Sequence, residues 1–117
     1  MDSNLYPSYT YDREKRRNEL APEQAEAWKN FSKTVFKAGA LDEKTKQLIA
    51  VAVAHVTQCP YCIRGHIPEA IKSGATKEEI MEAIWVAAEM RAGGATAHSM
   101  VAMGAIEDYE KLASNFK

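Results

Sequence analysis

The chain has 117 residues, enough for one domain with a modest hydrophobic core of its own. Apolar residues make up 46%, charged residues 26%, and the net charge is −1, so neither a disordered chain nor a nucleic-acid partner is indicated. The longest apolar run, 48–54, is far shorter than the roughly 20 residues of a membrane span, and the N-terminus lacks the apolar core of a secretory signal. We therefore expect a cytoplasmic protein, with residues 1–117 forming a single domain that has no membrane partner.

The first 20 residues are polar and are expected to form an arm or a helix, with the basic cluster 13–17 on its solvated face. Apolar residues then recur at helical spacing from Pro22 to Lys37, and Gly39 is expected to end this helix. Its predicted apolar face consists of Trp28, Phe31, Val35 and Phe36.

A second strongly helical pattern starts near Asp42, a suitable N-cap, and its second half is apolar on every side. Such a helix is buried all round, either by its own domain or by a partner subunit. Pro60 is unfavourable inside a helix but favoured at the first helical position, so one helix should end near Thr57 and another begin at Pro60. Gly74 is expected to end that helix as a left-handed C-cap.

The sequence "TKEE" at 76–79 predicts a capping box that opens a further helix with an apolar face of Ile80, Ile84, Ala87 and Ala88. The pair Gly93–Gly94 is expected to break this helix, and a last one should run from about Ala95 to Leu112. No segment shows the alternation of a β-strand. The predicted fold is an all-α bundle of about six helices.

Both cysteines lie in "HVTQCPYCIRGH", residues 55–66, at the start of the helix predicted from Pro60. Two Cα atoms three residues apart on a helix lie roughly 5 Å from each other, within the range of a disulfide. A disulfide stabilises mainly by closing a loop in the unfolded chain, and two intervening residues leave almost no loop. In a reducing compartment a Cys-x-x-Cys pair therefore favours a redox role over a structural one.

Two effects activate this pair, and they favour different cysteines. The positive end of the helix favours a thiolate at Cys59. His66, one turn beyond Cys62, can take the proton of the Cys62 thiol. A metal site is the alternative, with Cys59, Cys62 and His66 joined by His55 or His98, but ligands so close along one helix rarely surround an ion. We expect His55 and His98 to serve mainly packing roles, with proton transfer by His55 as a weaker candidate function.

Residues 41–88 resemble the core of the AhpD-like superfamily, which includes alkylhydroperoxidases and the carboxymuconolactone decarboxylase family. The resemblance rests on the Cys-x-x-Cys-x-x-x-His motif followed by "GATKEEI". It implies an all-helical fold that assembles as a homo-trimer or homo-hexamer. It also implies that the pair reduces a hydroperoxide or disulfide substrate, forms the redox-active disulfide Cys59–Cys62, and is reset by a dithiol donor such as a lipoyl or thioredoxin-like protein, with no further cofactor.

By position, the resemblance implies that Cys62 meets the peroxide, Cys59 resolves the intermediate and His66 is the base. One departure matters, since the family has a glutamate where this chain has Gln47, twelve residues before Cys59. A neutral amide can hydrogen-bond an imidazole, but it does not stabilise an imidazolium as a carboxylate does, so weak peroxidase activity is expected. Glu43 and Glu69 are the candidate substitutes.

Two other functions stay open. One is lactone decarboxylation, which needs no cysteine pair; against it, Arg64 and Arg91 stand apart in the sequence and form no obvious carboxylate-binding cluster. The other is a non-catalytic oligomer whose cysteine pair senses oxidation without turning over.

Overall fold

The structure is a computed structural model that describes residues 5–116. Five helices follow one another, α1 Tyr11–Leu20, α2 Pro22–Phe36, α3 Glu43–Thr57, α4 Pro60–Lys72 and α5 Lys77–Ser114. Residues 5–116 contain no β-strand, which confirms the all-α prediction. Within the predicted N-terminal arm, residues 1–4 lie outside the described part, residues 5–10 are irregular, and α1 carries the basic cluster.

Local capping signals set most of the helix boundaries where the sequence predicts them. Asp42 Oδ1 accepts a hydrogen bond from the Thr45 N–H over 2.7 Å and begins α3. The capping box of Thr76 and Glu79 begins α5, with both reciprocal hydrogen bonds present. Gly74, at a φ of 99°, is the left-handed residue that follows α4. The prediction for Gly39 is wrong by a few residues, since α2 ends at Phe36.

The core lies where α3 packs against α4 and α5. Val51, Ala70, Ala75 and Ile80 are buried there, and partly buried side chains surround them, namely Leu48, Ile67 and Ile84. Only one side of α3 is covered in this way, because Ile49, Val53 and Val56 stay exposed on its other side. Burial of α3 on every side is therefore not achieved within a single chain.

The predicted break at Gly93–Gly94 is wrong, because α5 continues through both glycines as one helix of 38 residues. Neither glycine has a positive φ among the residues described. A glycine costs a helix only about 1 kcal/mol relative to alanine, and the alanine-rich flanks of this segment favour the helix enough to carry it through. The predicted last helix is thus the second half of α5.

Two glycine substitutions should change the free energy of unfolding in opposite directions, because Gly94 lies inside α5 and Gly74 lies at a left-handed turn before it. A Cβ at Gly94 meets no atom within 4 Å, so Gly94→Ala should raise the free energy of unfolding by about 1 kcal/mol. Gly74→Ala should lower it by about 1–2 kcal/mol, because an L side chain is strained at its left-handed φ. Urea unfolding followed by circular dichroism measures both. A destabilising Gly94→Ala would show that another backbone approaches this glycine closely.

The second half of α5 projects away from the core and gives the chain an elongated shape. The radius of gyration is 21.2 Å, against about 13 Å for a compact domain of 100 residues. Large apolar side chains remain exposed along this projecting half, among them Met100, Val101, Met103, Ile106 and Leu112. No helix within residues 5–116 has both the length and the hydrophobicity needed to cross a lipid bilayer.

Candidate active site

Cys59 is the N-cap residue of α4, and Cys62 lies in the first turn, as the sequence predicts. Gln58, at a φ of 58°, turns the chain out of α3, and Pro60 occupies the first helical position, where its missing N–H is not needed. The Cys62 N–H donates to Cys59 Sγ over 3.2 Å. The sulfur of Cys59 thus takes the place that a serine or aspartate oxygen holds in an ordinary cap.

This contact makes the two thiols unequal. The pKa of Cys59 is lowered, first because the Cys62 side chain donates a hydrogen bond to its sulfur and second because the Cys62 N–H does the same. The pKa of Cys62 is raised, mainly because its thiol is the donor in that bond and also because it is partly desolvated. When the reduced pair loses a proton, Cys59 therefore loses it before Cys62 does.

Alkylation of the reduced protein should show this inequality directly. We expect iodoacetamide to modify Cys59 at a lower pH than Cys62, because only the thiolate reacts and the lowered pKa gives Cys59 the larger thiolate fraction. Peptide mass spectrometry after brief labelling across a pH series measures both thiols in one sample. Cys62 is the more exposed of the two, so accessibility alone predicts the reverse order. Labelling of Cys62 first would contradict the assignment of the thiolate.

His66 is held in one orientation by Gln47, which α3 contributes from across the helix interface. The His66 Nδ1–H donates to Gln47 Oε1 over 2.8 Å, and Gln47 is only 8% exposed. Since this oxygen can only accept, Nδ1 carries the proton and Nε2 keeps a free lone pair. The ring of Phe36 packs on the imidazole with centroids 5.1 Å apart. Gln47 and Phe36 thereby hold the imidazole in one orientation, in which Nε2 is the nitrogen that can accept a proton.

Two cavities meet at Cys62 and His66, which are the residues common to both. The first holds about 470 Å³ and is almost entirely apolar, with Val35, Phe36, Ile49 and Val53 in its wall. We call it the apolar cavity. Cys59 lines neither this cavity nor the second one, so Cys62 is the sulfur that a molecule in either cavity meets. Three of the four side chains that the sequence assigns to the apolar face of α2 line these cavities, namely Trp28, Val35 and Phe36, and the fourth, Phe31, packs against the Trp28 ring.

The second cavity, here called the arginine groove, holds about 730 Å³ and also has Cys62 and His66 in its wall. It lies between the N-terminal segment 6–9, α2 and α4, and its wall includes Trp28, Arg17 and Arg64.

Tyr61 holds the N-terminal segment 6–9 against α4, because its hydroxyl donates to the carbonyl of Pro7 over 2.8 Å. The rings of Tyr6 and Tyr9 pack edge-on against the Tyr61 ring.

The sequence analysis missed this groove, and its view of Arg64 as isolated is wrong. Arg17, assigned there to a solvated face, lines the same groove as Arg64. The available signal was the aromatic spacing of "YPSYTY", residues 6–11, which is unusual for an exposed arm. Arg91 does stand apart from the groove, since its Nη1 donates to the carbonyl of Val56 over 2.9 Å.

The remaining candidates stay outside the site. His55 Nδ1 contacts the carbonyl of Val51 over 2.7 Å, and His98 Nδ1 contacts that of Gly94 over 2.7 Å, both within their own helices. Glu69 contacts Lys72, and Glu43 is exposed at the start of α3. Within residues 5–116, no three His, Cys, Asp or Glu side chains are grouped so that they could hold a metal ion.

Residues 22–105 match the Carboxymuconolactone decarboxylase family. A Paracoccus denitrificans protein named "Uncharacterized protein 4 in cox locus" is 61% identical over 85 residues, which cover 73% of this chain and 77% of that protein. A crystal structure from Methanobacterium thermoautotrophicum superimposes with a TM-score of 0.67 at 42% identity, covering 71% of this chain and 93% of that one. A Thermotoga maritima protein of the same family, for which a role in an antioxidative response has been suggested, gives 0.55 at 30% identity, covering 79% and 95%. The chain therefore belongs to the carboxymuconolactone decarboxylase family, within the AhpD-like superfamily that its motif resembles.

Proposed function

We propose that this chain is a cytoplasmic thiol peroxidase that reduces organic hydroperoxides through Cys59 and Cys62. The observation that carries the proposal is the position of Cys62, which lies beside the sulfur of Cys59 and shares both cavities with an oriented imidazole, His66. Gln47 acts as the positioning residue of that imidazole. The antioxidative role suggested for the Thermotoga maritima relative supports the same chemistry.

The first step consumes the hydroperoxide. His66 Nε2 accepts the proton of the Cys62 thiol, and the thiolate attacks the terminal oxygen of R–O–O–H. The O–O bond breaks, so that Cys62 becomes a sulfenic acid and the alkoxide R–O⁻ leaves. The alkoxide then takes the proton from His66 and departs as the alcohol.

The second step closes the disulfide. The Cys59 thiolate attacks the sulfur of the Cys62 sulfenic acid, an S–S bond forms, and hydroxide leaves and takes a proton from solvent to become water. The net reaction converts one hydroperoxide and two thiols into one alcohol, one water and the disulfide Cys59–Cys62. A dithiol donor, such as a lipoyl or thioredoxin-like protein, resets the pair by thiol exchange, and the pair itself is the redox group.

The test is a stoichiometric oxidation. Reduced protein mixed with one equivalent of cumene hydroperoxide should lose both free thiols within seconds and release one equivalent of the alcohol, measured by thiol titration and chromatography. Repeated turnover with dithiothreitol identifies a peroxidase. A single fast oxidation that dithiothreitol does not reset would identify a redox sensor, and thiols that survive excess hydroperoxide would remove the proposal.

Lactone decarboxylation is the second candidate, and the arginine groove is the observation that favours it. Arg17 and Arg64 give a carboxylate-bearing lactone a cationic wall beside His66. That reaction needs neither sulfur, so it should persist in a Cys59→Ser/Cys62→Ser double variant. Release of carbon dioxide from carboxymuconolactone by wild type and by this variant distinguishes the two candidates.

We also propose that the chain works as a homo-oligomer, with the trimer or hexamer of its superfamily as the expected order. The support is the projecting half of α5, whose apolar side chains remain exposed in the single chain. Patches of this kind mark association surfaces. Sedimentation equilibrium should give a multiple of the 13.0 kDa chain mass, and a monomer would contradict this proposal.

A further inference from the structure

The two cavities at Cys62 and His66 differ sharply in character. The apolar cavity carries one cationic side chain, Lys46, whose ammonium group donates to the carbonyls of Val35 and Lys37 at 2.8 and 2.6 Å. That cation is therefore occupied by the protein itself. A ligand in this cavity meets mainly aliphatic carbon and one aromatic ring, so the cavity favours an apolar chain.

The arginine groove presents the opposite environment, because two guanidinium groups line it and no Asp or Glu side chain does. Within residues 5–116, neither Arg17 nor Arg64 is paired with a carboxylate in a salt bridge. Arg17 is held in place by two hydrogen bonds to Asn18 Oδ1, at 3.1 and 2.9 Å, and by the Tyr9 ring beneath it. The groove thus favours a carboxylate, which an arginine recognises through charge-assisted hydrogen bonds.

Since Cys62 and His66 line both cavities, a substrate that fills both has a fixed order of chemical groups. We propose that the substrate is a long-chain fatty-acid hydroperoxide, with its carboxylate in the arginine groove, its –OOH group at Cys62 in mid-chain and its apolar end in the apolar cavity. This inference rests on the proposed peroxidase function. The products are the mid-chain hydroxy acid, one water and the disulfide Cys59–Cys62.

The size of each cavity fits this assignment. Both volumes lie in the range of about 300–1,000 Å³ that is usual for small-molecule sites. Each methylene buried in the apolar cavity should raise kcat/KM by up to about fourfold. One charge-assisted hydrogen bond to the carboxylate should give the acid an advantage of roughly tenfold over its neutral ester.

The experiment compares linoleic acid hydroperoxide with its methyl ester, below their critical micelle concentrations, with dithiothreitol as reductant. Wild type should show a ratio of kcat/KM, acid over ester, of about ten. The Arg17→Gln/Arg64→Gln double variant should reduce that ratio to about one. Arg16→Gln is the matched control, because Arg16 is exposed on the same helix and lines neither cavity, and it should keep the wild-type ratio.

Two results would overturn the inference while the peroxidase proposal stands, namely equal rates for acid and ester in wild type, or an unchanged ratio in the double variant. If no hydroperoxide is consumed at all, the proposed function fails, and calorimetry with the hydroxy acid and its methyl ester tests the groove alone. Tighter binding of the acid by about tenfold, lost in the double variant, would support the fatty-acid site. Equal affinities would remove it.

Discussion

Replacing Cys62 by serine should lower hydroperoxide turnover by about a thousandfold or more. A serine hydroxyl stays protonated near neutral pH, its oxygen attacks an O–O bond poorly, and it forms no disulfide with Cys59. The measurement is the initial rate of tert-butyl hydroperoxide consumption with dithiothreitol in excess. Circular dichroism checks that the variant is folded.

Cys59→Ser is the matched variant, and it should fail at a different step. Cys62 still meets the peroxide beside His66, so one equivalent is consumed, but the sulfenic acid on Cys62 then has no resolving thiolate. Trapping with dimedone and mass spectrometry should locate the adduct on Cys62. If Cys62→Ser still consumes one equivalent of peroxide and its dimedone adduct lies on Cys59, then Cys59 is the residue that attacks the peroxide and Cys62 is the resolving residue. Turnover by Cys62→Ser at the wild-type rate would remove the peroxidase assignment.

These roles reconcile two observations that point to different cysteines. The pKa of Cys59 is the lowered one, whereas the two cavities give access to Cys62. A thiol of lowered pKa that lines neither of these two cavities is suited to resolve a sulfenic acid on its neighbour, since attack on that sulfur needs a nucleophile and no peroxide contact. In the proposed reaction, Cys62 is activated only when His66 takes its proton, which would couple its reactivity to the imidazole.

The local parts of this site could be predicted from the sequence because they depend on neighbours along the chain. Pro60 at a first helical position fixes the start of α4, and this alone places Cys59 at the cap and Cys62 in the first turn. The capping box before α5 is predicted for the same reason. The break at Gly93–Gly94 was predicted wrongly because a glycine costs a helix only about 1 kcal/mol, which favourable neighbours offset.

The parts that could not be predicted depend on contacts between distant residues. The hydroxyl of Tyr61 and the carbonyl of Pro7 are 54 positions apart, and no spacing rule brings them together. The N-terminal segment 6–9 that this contact holds against α4 is part of the wall of the arginine groove. The bond between His66 and Gln47 spans 19 positions and two helices, and only the family resemblance indicated that these positions meet.

Gln47 provides the second large effect, since its replacement by leucine and by glutamate should change the rate in opposite directions. Gln47→Leu removes the acceptor of the His66 Nδ1–H, so the imidazole loses its orientation and the rate should fall at least roughly tenfold. Gln47→Glu places a carboxylate there, which stabilises the imidazolium. An imidazolium beside Cys62 stabilises the thiolate, so the pKa of that thiol should fall, and the rate near pH 6–7 should rise roughly tenfold for each unit of that fall.

Because the two Gln47 variants should change the rate in opposite directions, they distinguish a positioning role of Gln47 from a purely packing role. Gln47 is buried, so leucine leaves the imidazole N–H without its partner and glutamate buries a carboxylate; both changes should lower the free energy of unfolding. A purely structural role therefore predicts a slower enzyme in both variants. The rate of peroxide consumption, measured from pH 5 to 9 with Gln24→Glu on exposed α2 as the control, should instead move its acid limb to lower pH in Gln47→Glu alone. If Gln47→Glu is slower than wild type with an unshifted profile, His66 is not the base for Cys62, and the proton of that thiol leaves by another route.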